Sequence, residues 1–188
     1  MDTAKTALLL IDIQQGFDDI AYWGGHRNNP NAESVAKTVL ATCRKHQLPI
    51  FHVRHASTTP QSRLHPDHAG FAFKPDFEPQ LDEVVITKNV NSAFIGTDLH
   101  EQLQAHAIER LVIVGLTTDH CVSTTTRMAG NMGYQVVLLS DATATFDKIG
   151  INGEIFDAEL IHQTALASLN GEFAEVIDSK TFFEKYHF

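Results

Sequence analysis

Residues 111–140 read LVIVGLTTDHCVSTTTRMAGNMGYQVVLLS. Two short β-branched runs, 111–115 and 135–140, flank a stretch of helical length at about 119–132. The runs are almost continuously apolar rather than alternating, as expected of strands covered on both faces in a parallel sheet. A strand–helix–strand unit of this kind closes as a right-handed crossover.

Outward from this unit the same alternation recurs. Further strands are predicted at 6–12 (TALLLID), 49–54 (PIFHVR), 84–87 (VVIT) and 174–178 (AEVID). Ala36, Val39, Leu40 and Cys43 follow i, i+3, i+4, i+7, the apolar stripe of a helix near 33–47. Asp98 and Glu101 open a helix carrying Leu99 and Leu103. A last long helix is expected over 153–170, with Ile161, Ala165 and Leu169 inward and a stop at Asn170-Gly171. The pattern predicts an α/β, Rossmann-like three-layer α/β/α sandwich with a mostly parallel six-stranded sheet. With 188 residues, one domain over 1–188 is expected.

Fourteen Lys and Arg stand against 23 Asp and Glu, a formal charge of −9, with no basic cluster. That balance argues against a nucleic-acid or anionic-membrane partner. The first apolar run ends at Asp12, too short for a signal segment or a membrane span. Cys43 and Cys121 are the two cysteines and make no disulfide framework, so a reduced, cytoplasmic setting is expected.

Three stretches lack any period: 14–31, 55–80 and 141–152. Each follows a predicted strand, so each should emerge at the carboxyl edge of the sheet, where open parallel sheets bind ligands. Structureless loops as long as the second are usually lids or binding loops.

Three polar groups share that edge. Asp12 closes the first strand, Lys88 follows the third, and Cys121 lies a few residues past the fourth, in the first turn of the next helix. A thiol at a helix N-terminus beside an ammonium is expected to favour thiolate. The aspartate can take the thiol proton and return it to a leaving amine. Backbone N–H groups near Thr117 and Cys121 could hold an oxyanion. Such a set would hydrolyse an amide or related C–N bond through a thioester. A buried Cys is usually a small hydrophobe, and Cys43, on its apolar stripe, reads that way. Cys121 departs from it because its helix opens with Ser123, Thr124, Thr125 and Thr126, weak helix formers that persist where close packing or a site demands them.

The stretches ALLLIDIQQGF (7–17), TKNVNSAFIGTDL (87–99) and VGLTTDHCVSTTTRMAGNMGYQVVLLSDATATF (114–146) resemble the isochorismatase-like cysteine hydrolase superfamily over nearly the whole chain. WGGHRNNP (23–30), VRHAS (53–57) and NSAFIGTDL (91–99) look closest to the branch of streptothricin-hydrolase-like amidases. The resemblance implies Asp12 as general base, Lys88 as its electrostatic partner and Cys121 as nucleophile. It also implies a cis peptide between Leu116 and Thr117, aiming the Thr117 N–H with that of Cys121 at the oxyanion. Oligomers, homodimers or larger, are common in the superfamily. The apolar tail at 182–188 could dock on a neighbour or on its own core.

Phe17, Trp23, His55, Phe94 and Phe146, drawn from the loops, are candidates to shape a pocket for a small amide-like substrate. Arg54 stands beside His55. No cofactor is expected. His52/His55 and His65/His68 form two H-x-x-H spacings that invite a metal, and the nicotinamidase branch binds one through an Asp-x-His. Here that strand reads His52-Val53-Arg54-His55, with a cation at its centre, and histidines so spaced in a strand tend to point apart. A metal-independent hydrolase is therefore the leading expectation. A metal-assisted nicotinamidase-type amidase and a non-catalytic binding protein remain open. The intact Cys121 argues against the ether hydrolysis of triad-less members. A dinucleotide fold of the G-x-G-x-x-G type fails on the glycine spacing after the first strand.

Overall fold

The computed structural model describes residues 5–188. Its main sheet has six strands: β1 (Thr6–Ile11), β2 (Ile50–His55), β3 (Val84–Lys88), β4 (Arg110–Leu116), β5 (Gln135–Ala144) and, last in the chain, β8 (Glu175–Ile177). The spatial order is β3-β2-β1-β4-β5-β8, and every pairing is parallel. Strand order therefore reverses between β1 and β4.

Alternate residues of each strand face opposite layers, which is why the strands read as unbroken apolar runs. Leu9 and Ile11 of β1, Leu111 and Ile113 of β4 and Leu138 of β5 join a core with helices α3 (Leu99–Ala105), α4 (Ser123–Asn131) and α5 (Ala158–Leu169). Leu8, Leu10, Val112, Val114, Val137 and Leu139 face the other way, toward α2 (Ala32–Lys45) and α6 (Ser179–Tyr186). Ala36, Val39, Leu40 and Cys43 form the buried stripe of α2, as their spacing predicts. Burial pushes the Cys43 thiol up to about 12, so it stays an inert apolar group.

The last long helix departs from its expected start. Residues 155–156 instead form a short strand, β7 (Ile155–Phe156), paired antiparallel with β6 (Lys148–Ile149). Gly153 takes the turn at φ +85°, and α5 begins only after Asp157, whose side chain accepts from the Leu160 N–H as an N-cap. Its inward stripe is also turned by one residue: His162, Leu166 and Leu169 are buried, while Ile161 and Ala165 are half-buried.

The C-terminal tail docks on its own core. Phe182 is fully buried beside α2 and β5, and Phe183, Tyr186 and Phe188 pack around it. No helix among the described residues is long and apolar enough to cross a membrane.

Truncating Phe182 leaves a large hole in the α2/α6 layer, among residues that do not line the cavity above Cys121. Phe182→Ala should cost about 3–5 kcal/mol in a denaturant titration, with the per-molecule rate of any activity unchanged below the melting transition. A loss well under 1 kcal/mol would mean that the tail is not part of the core.

Candidate active site

The first strand delivers Asp12 to the reversal point. Its N–H bonds to the Val53 carbonyl, and its backbone then turns through φ +50°, unusual for a residue with a side chain. On the neighbouring strand Gly115 pairs in register with Ile11. Gly115 sits at φ +125°, and a Cβ there would lie 2.0 Å from the Ile11 carbonyl oxygen. The two backbones can meet this closely only with glycine at that position. The register of β4 against β5 also shifts at this point. Leu116 and Thr117 follow, joined by a cis peptide. The chain then enters a single π-turn over Thr118–Val122 before settling into α4. Turns of this kind are frequent at functional sites.

Lys88 ties these parts together. Its Nζ donates to Asp12 Oδ2 at 2.6 Å and to Cys121 Sγ at 3.2 Å, and it meets His55 Nδ1 at 3.2 Å. Three donors thus find three acceptors. The Asp12 and Lys88 side chains are both 0% exposed, so neither charge is balanced by solvent. Burial alone would lower the Lys88 ammonium, but the Asp12 carboxylate and the Cys121 sulfur hold it above its usual range. His55 is pushed down by burial and by Lys88, against the pull of Asp12 and the Val90 backbone, which keeps it neutral. Asp12 Oδ1 is buried and makes no hydrogen bond among the described residues. The Asp12 carboxylate lies within 4.8 Å of Cys121 Sγ.

This arrangement does not favour the resting thiolate expected from the helix terminus and the lysine. Burial pushes the Cys121 thiol up and the Asp12 charge pushes it further, against the pull of Lys88. This direction favours the thiol beside the unpartnered Asp12 Oδ1, so proton transfer would accompany attack rather than precede it.

Above the thiol opens a cavity of about 260 Å³. That lies below the range of roughly 300–1,000 Å³ typical of drug-sized ligands. Phe17, Trp23 and His55 line it, as their loop positions predict, and so do Thr117 and Cys121. Phe94 and Phe146 do not. Phe94 joins the α3–α5 core and stacks on Tyr134, and Phe146 is fully buried behind the wall, stacked on Phe17 and Trp23. A larger cavity, about 500 Å³, lies at the opposite edge by Ile50 and Val84 and holds none of these residues.

Several lining or supporting residues escape a reading of the sequence. Gln14 is fully buried; its side chain donates to the His55 and Phe71 carbonyls and accepts from the His55 N–H, fixing the histidine. Asn91 Oδ1 lies 3.9 Å from Cys121 Sγ. Its segment is pinned by Thr125, whose hydroxyl accepts from the Ala93 N–H. The run of weak helix formers is thus the sequence signal that could have pointed to Asn91. Tyr22, His120 and Lys148 also line the cavity.

The histidine pairs do not assemble a metal site. His52 points away from the cavity to Glu83 at 2.8 Å, His65 contacts Asp67, and His68 meets the Pro60 carbonyl. Arg54 stacks on Phe71 at 4.6 Å and donates to Thr87, so its cation turns aside rather than joining the histidines. Asp12, His55 and Cys121 do converge, with ligand atoms within 4.8 Å of one another. The Lys88 ammonium already bonds to all three, so the donor set is satisfied by an organic cation and does not fit a metal ion.

The family model for the isochorismatase domain matches residues 6–181. An isochorismatase-family protein of Bacillus subtilis, YrdC, is 46% identical over 92% of this chain and 91% of its own length. A solved isochorismatase-family structure from Chromobacterium violaceum is 42% identical, with a TM-score of 0.92 over 98% of this chain and 94% of that one. Nicotinamidase 3 of Arabidopsis thaliana is 28% identical, covering 92% and 84%. Streptothricin hydrolase of Streptomyces noursei is a more distant match, 30% identical, of which this chain spans 50%. The suggested kinship with the streptothricin branch is therefore weaker than its short motifs imply.

Gly115→Ala should lose about 2–5 kcal/mol of stability through overpacking and backbone strain. It should also slow any Cys121-dependent chemistry, because the end of β1 carries Asp12. A variant with wild-type melting and alkylation behaviour would show that the close approach of β1 and β4 is not required.

Proposed function

This chain belongs to the isochorismatase family, and we propose that it is a cysteine-dependent hydrolase cleaving a C–N bond of a small amide, lactam or carbamoyl compound through a thioester on Cys121. The observation that carries this reading is the buried ammonium of Lys88, bonded at once to Asp12 and to Cys121 at the base of a cavity.

In the first step Cys121 Sγ attacks the substrate carbonyl while the thiol proton passes to Asp12 Oδ1, the oxygen without a partner. The Lys88 charge offsets the negative charge as it moves from carboxylate to sulfur and on to the substrate oxygen. The N–H groups of Thr117 and Cys121 are assigned to that oxyanion. Collapse breaks the C–N bond, and Asp12 returns the proton to the departing nitrogen. Water then adds to the thioester with Asp12 again as base, releasing the acid and restoring the thiol. Phe17 and Trp23, with ring centroids 4.7 Å apart, form an apolar wall for the body of the substrate.

A second reading, a metal-assisted amidase of the nicotinamidase type, draws on the convergence of Asp12, His55 and Cys121. The position of Lys88 among those atoms favours the route without metal.

Cys121→Ala should abolish ammonia release from any amide that the wild type hydrolyses. Asp12→Asn should reduce it by about 10²–10⁴-fold, the usual contribution of a general base, and chelator should change nothing. Substantial turnover by Cys121→Ala overturns the covalent mechanism, and loss of wild-type activity on chelation selects the metal-assisted reading. Absence of turnover in a screen of amides, with Cys121 unreactive, selects a binding protein.

A further inference from the structure

The chain carries a net charge of −9, yet no carboxylate is among the side chains lining the cavity above Cys121. The ionisable lining groups besides the thiol and Tyr22 are His55, His120 and Lys148. Burial and Lys88 keep His55 neutral. Lys148 comes from β6 and lines the same cavity as Phe17 and Trp23, and His120 is the residue before the thiol.

Both are set by one acid just outside the lining. Asp119 Oδ1 accepts from the Thr145 hydroxyl, which fixes the carboxylate. Its Oδ2 lies 3.4 Å from Lys148 Nζ and 3.4 Å from His120 Nε2. One anchored carboxylate thus orients two nitrogens with long contacts at a single oxygen, leaving N–H capacity directed elsewhere. The Lys148 side chain is 27% exposed, so its charge is only partly screened by water.

We propose that Lys148, with His120 beside it, is a specificity-determining group that receives an anionic substituent, such as a carboxylate, at the end of the substrate remote from the scissile carbonyl. The substrate class is then a small amide, lactam or carbamoyl compound with an acidic far end. Its carbonyl lies over Cys121, its body against Phe17 and Trp23, and its anion at the β6 rim. This rests on the reading of Cys121 as the nucleophile, but it concerns the rim and not the chemistry of the thiol.

The test needs no substrate. Iodoacetate and iodoacetamide deliver the same alkylating carbon with and without a negative charge. Their rates at Cys121, read by peptide mass spectrometry at fixed pH, are each normalised to the rate with 2-mercaptoethanol. The normalised ratio of iodoacetate to iodoacetamide should exceed one for the wild type and fall about fivefold or more in Lys148→Met, as expected for loss of a focused positive charge. Lys148→Arg should keep the preference, high salt should shrink it, and the iodoacetamide rate should stay within about twofold throughout. A ratio at or below one, or one indifferent to Lys148→Met, overturns this proposal while leaving the nucleophile assignment standing. The thiol is held high, so the fixed pH is set alkaline, where part of Cys121 is thiolate while Lys148 keeps its charge; a Cys121 that reacts with neither reagent even there overturns both.

Discussion

A single buried ammonium organises this molecule. Lys88 ends an edge strand of the sheet, yet its charge is out of reach of water and bonded to a carboxylate, a sulfur and an imidazole. Taking an ion out of water costs several kcal/mol, and the cost is repaid only when partners are placed with good geometry. Here the partners come from the ends of β1 and β2 and from the turn after β4. The lysine can therefore be accommodated only if three separate chain segments arrive together, and the same condition assembles the candidate active site.

The sheet makes that meeting possible. Strand order reverses between β1 and β4, so the loops that leave those two strands diverge and open a crevice at the carboxyl edge. Asp12 and Cys121 stand on its two sides. Gly115 lets the strands approach closely just below, and Gln14 clamps the long loop after β2 so that His55 faces the lysine. The fully apolar layers beneath, facing α3–α5 on one side and α2 and α6 on the other, provide a rigid floor. The floor is hydrophobic and general, whereas the site above it depends on a few polar contacts that have no substitutes.

Much of this was legible from the chain alone because the strands are short, apolar and sharply bounded. Asp12, Lys88 and Cys121 stand out as polar residues where apolar runs stop, and parallel topology then brings them to one edge. The misreadings have local causes. The expected helix over 153–170 lost its first turn because Gly153 and the Asp157 cap favour a hairpin and a late start. Phe94 and Phe146 carry no mark that separates a wall of a cavity from the packing behind it. Gln14 and Asn91 act through contacts distant in sequence, with |i−j| of 41 and 30, which no periodicity reports. The direction in which the thiol is shifted is hidden for a related reason. The helix end and the lysine are visible in the sequence, but the depth of burial and the proximity of the Asp12 charge are not.

Asp12 and Lys88 act on the Cys121 thiol with opposite sign. Thiolate absorbance followed across pH in a Cys43→Ser background, in otherwise wild-type protein and in Asp12→Asn and Lys88→Met, reads that opposition. Cys121 should ionise above the ordinary thiol value of about 8.5. That ionisation should move down when the Asp12 charge is removed and up when the Lys88 charge is removed. A thiol that ionises at its ordinary value and ignores both substitutions would contradict that opposition.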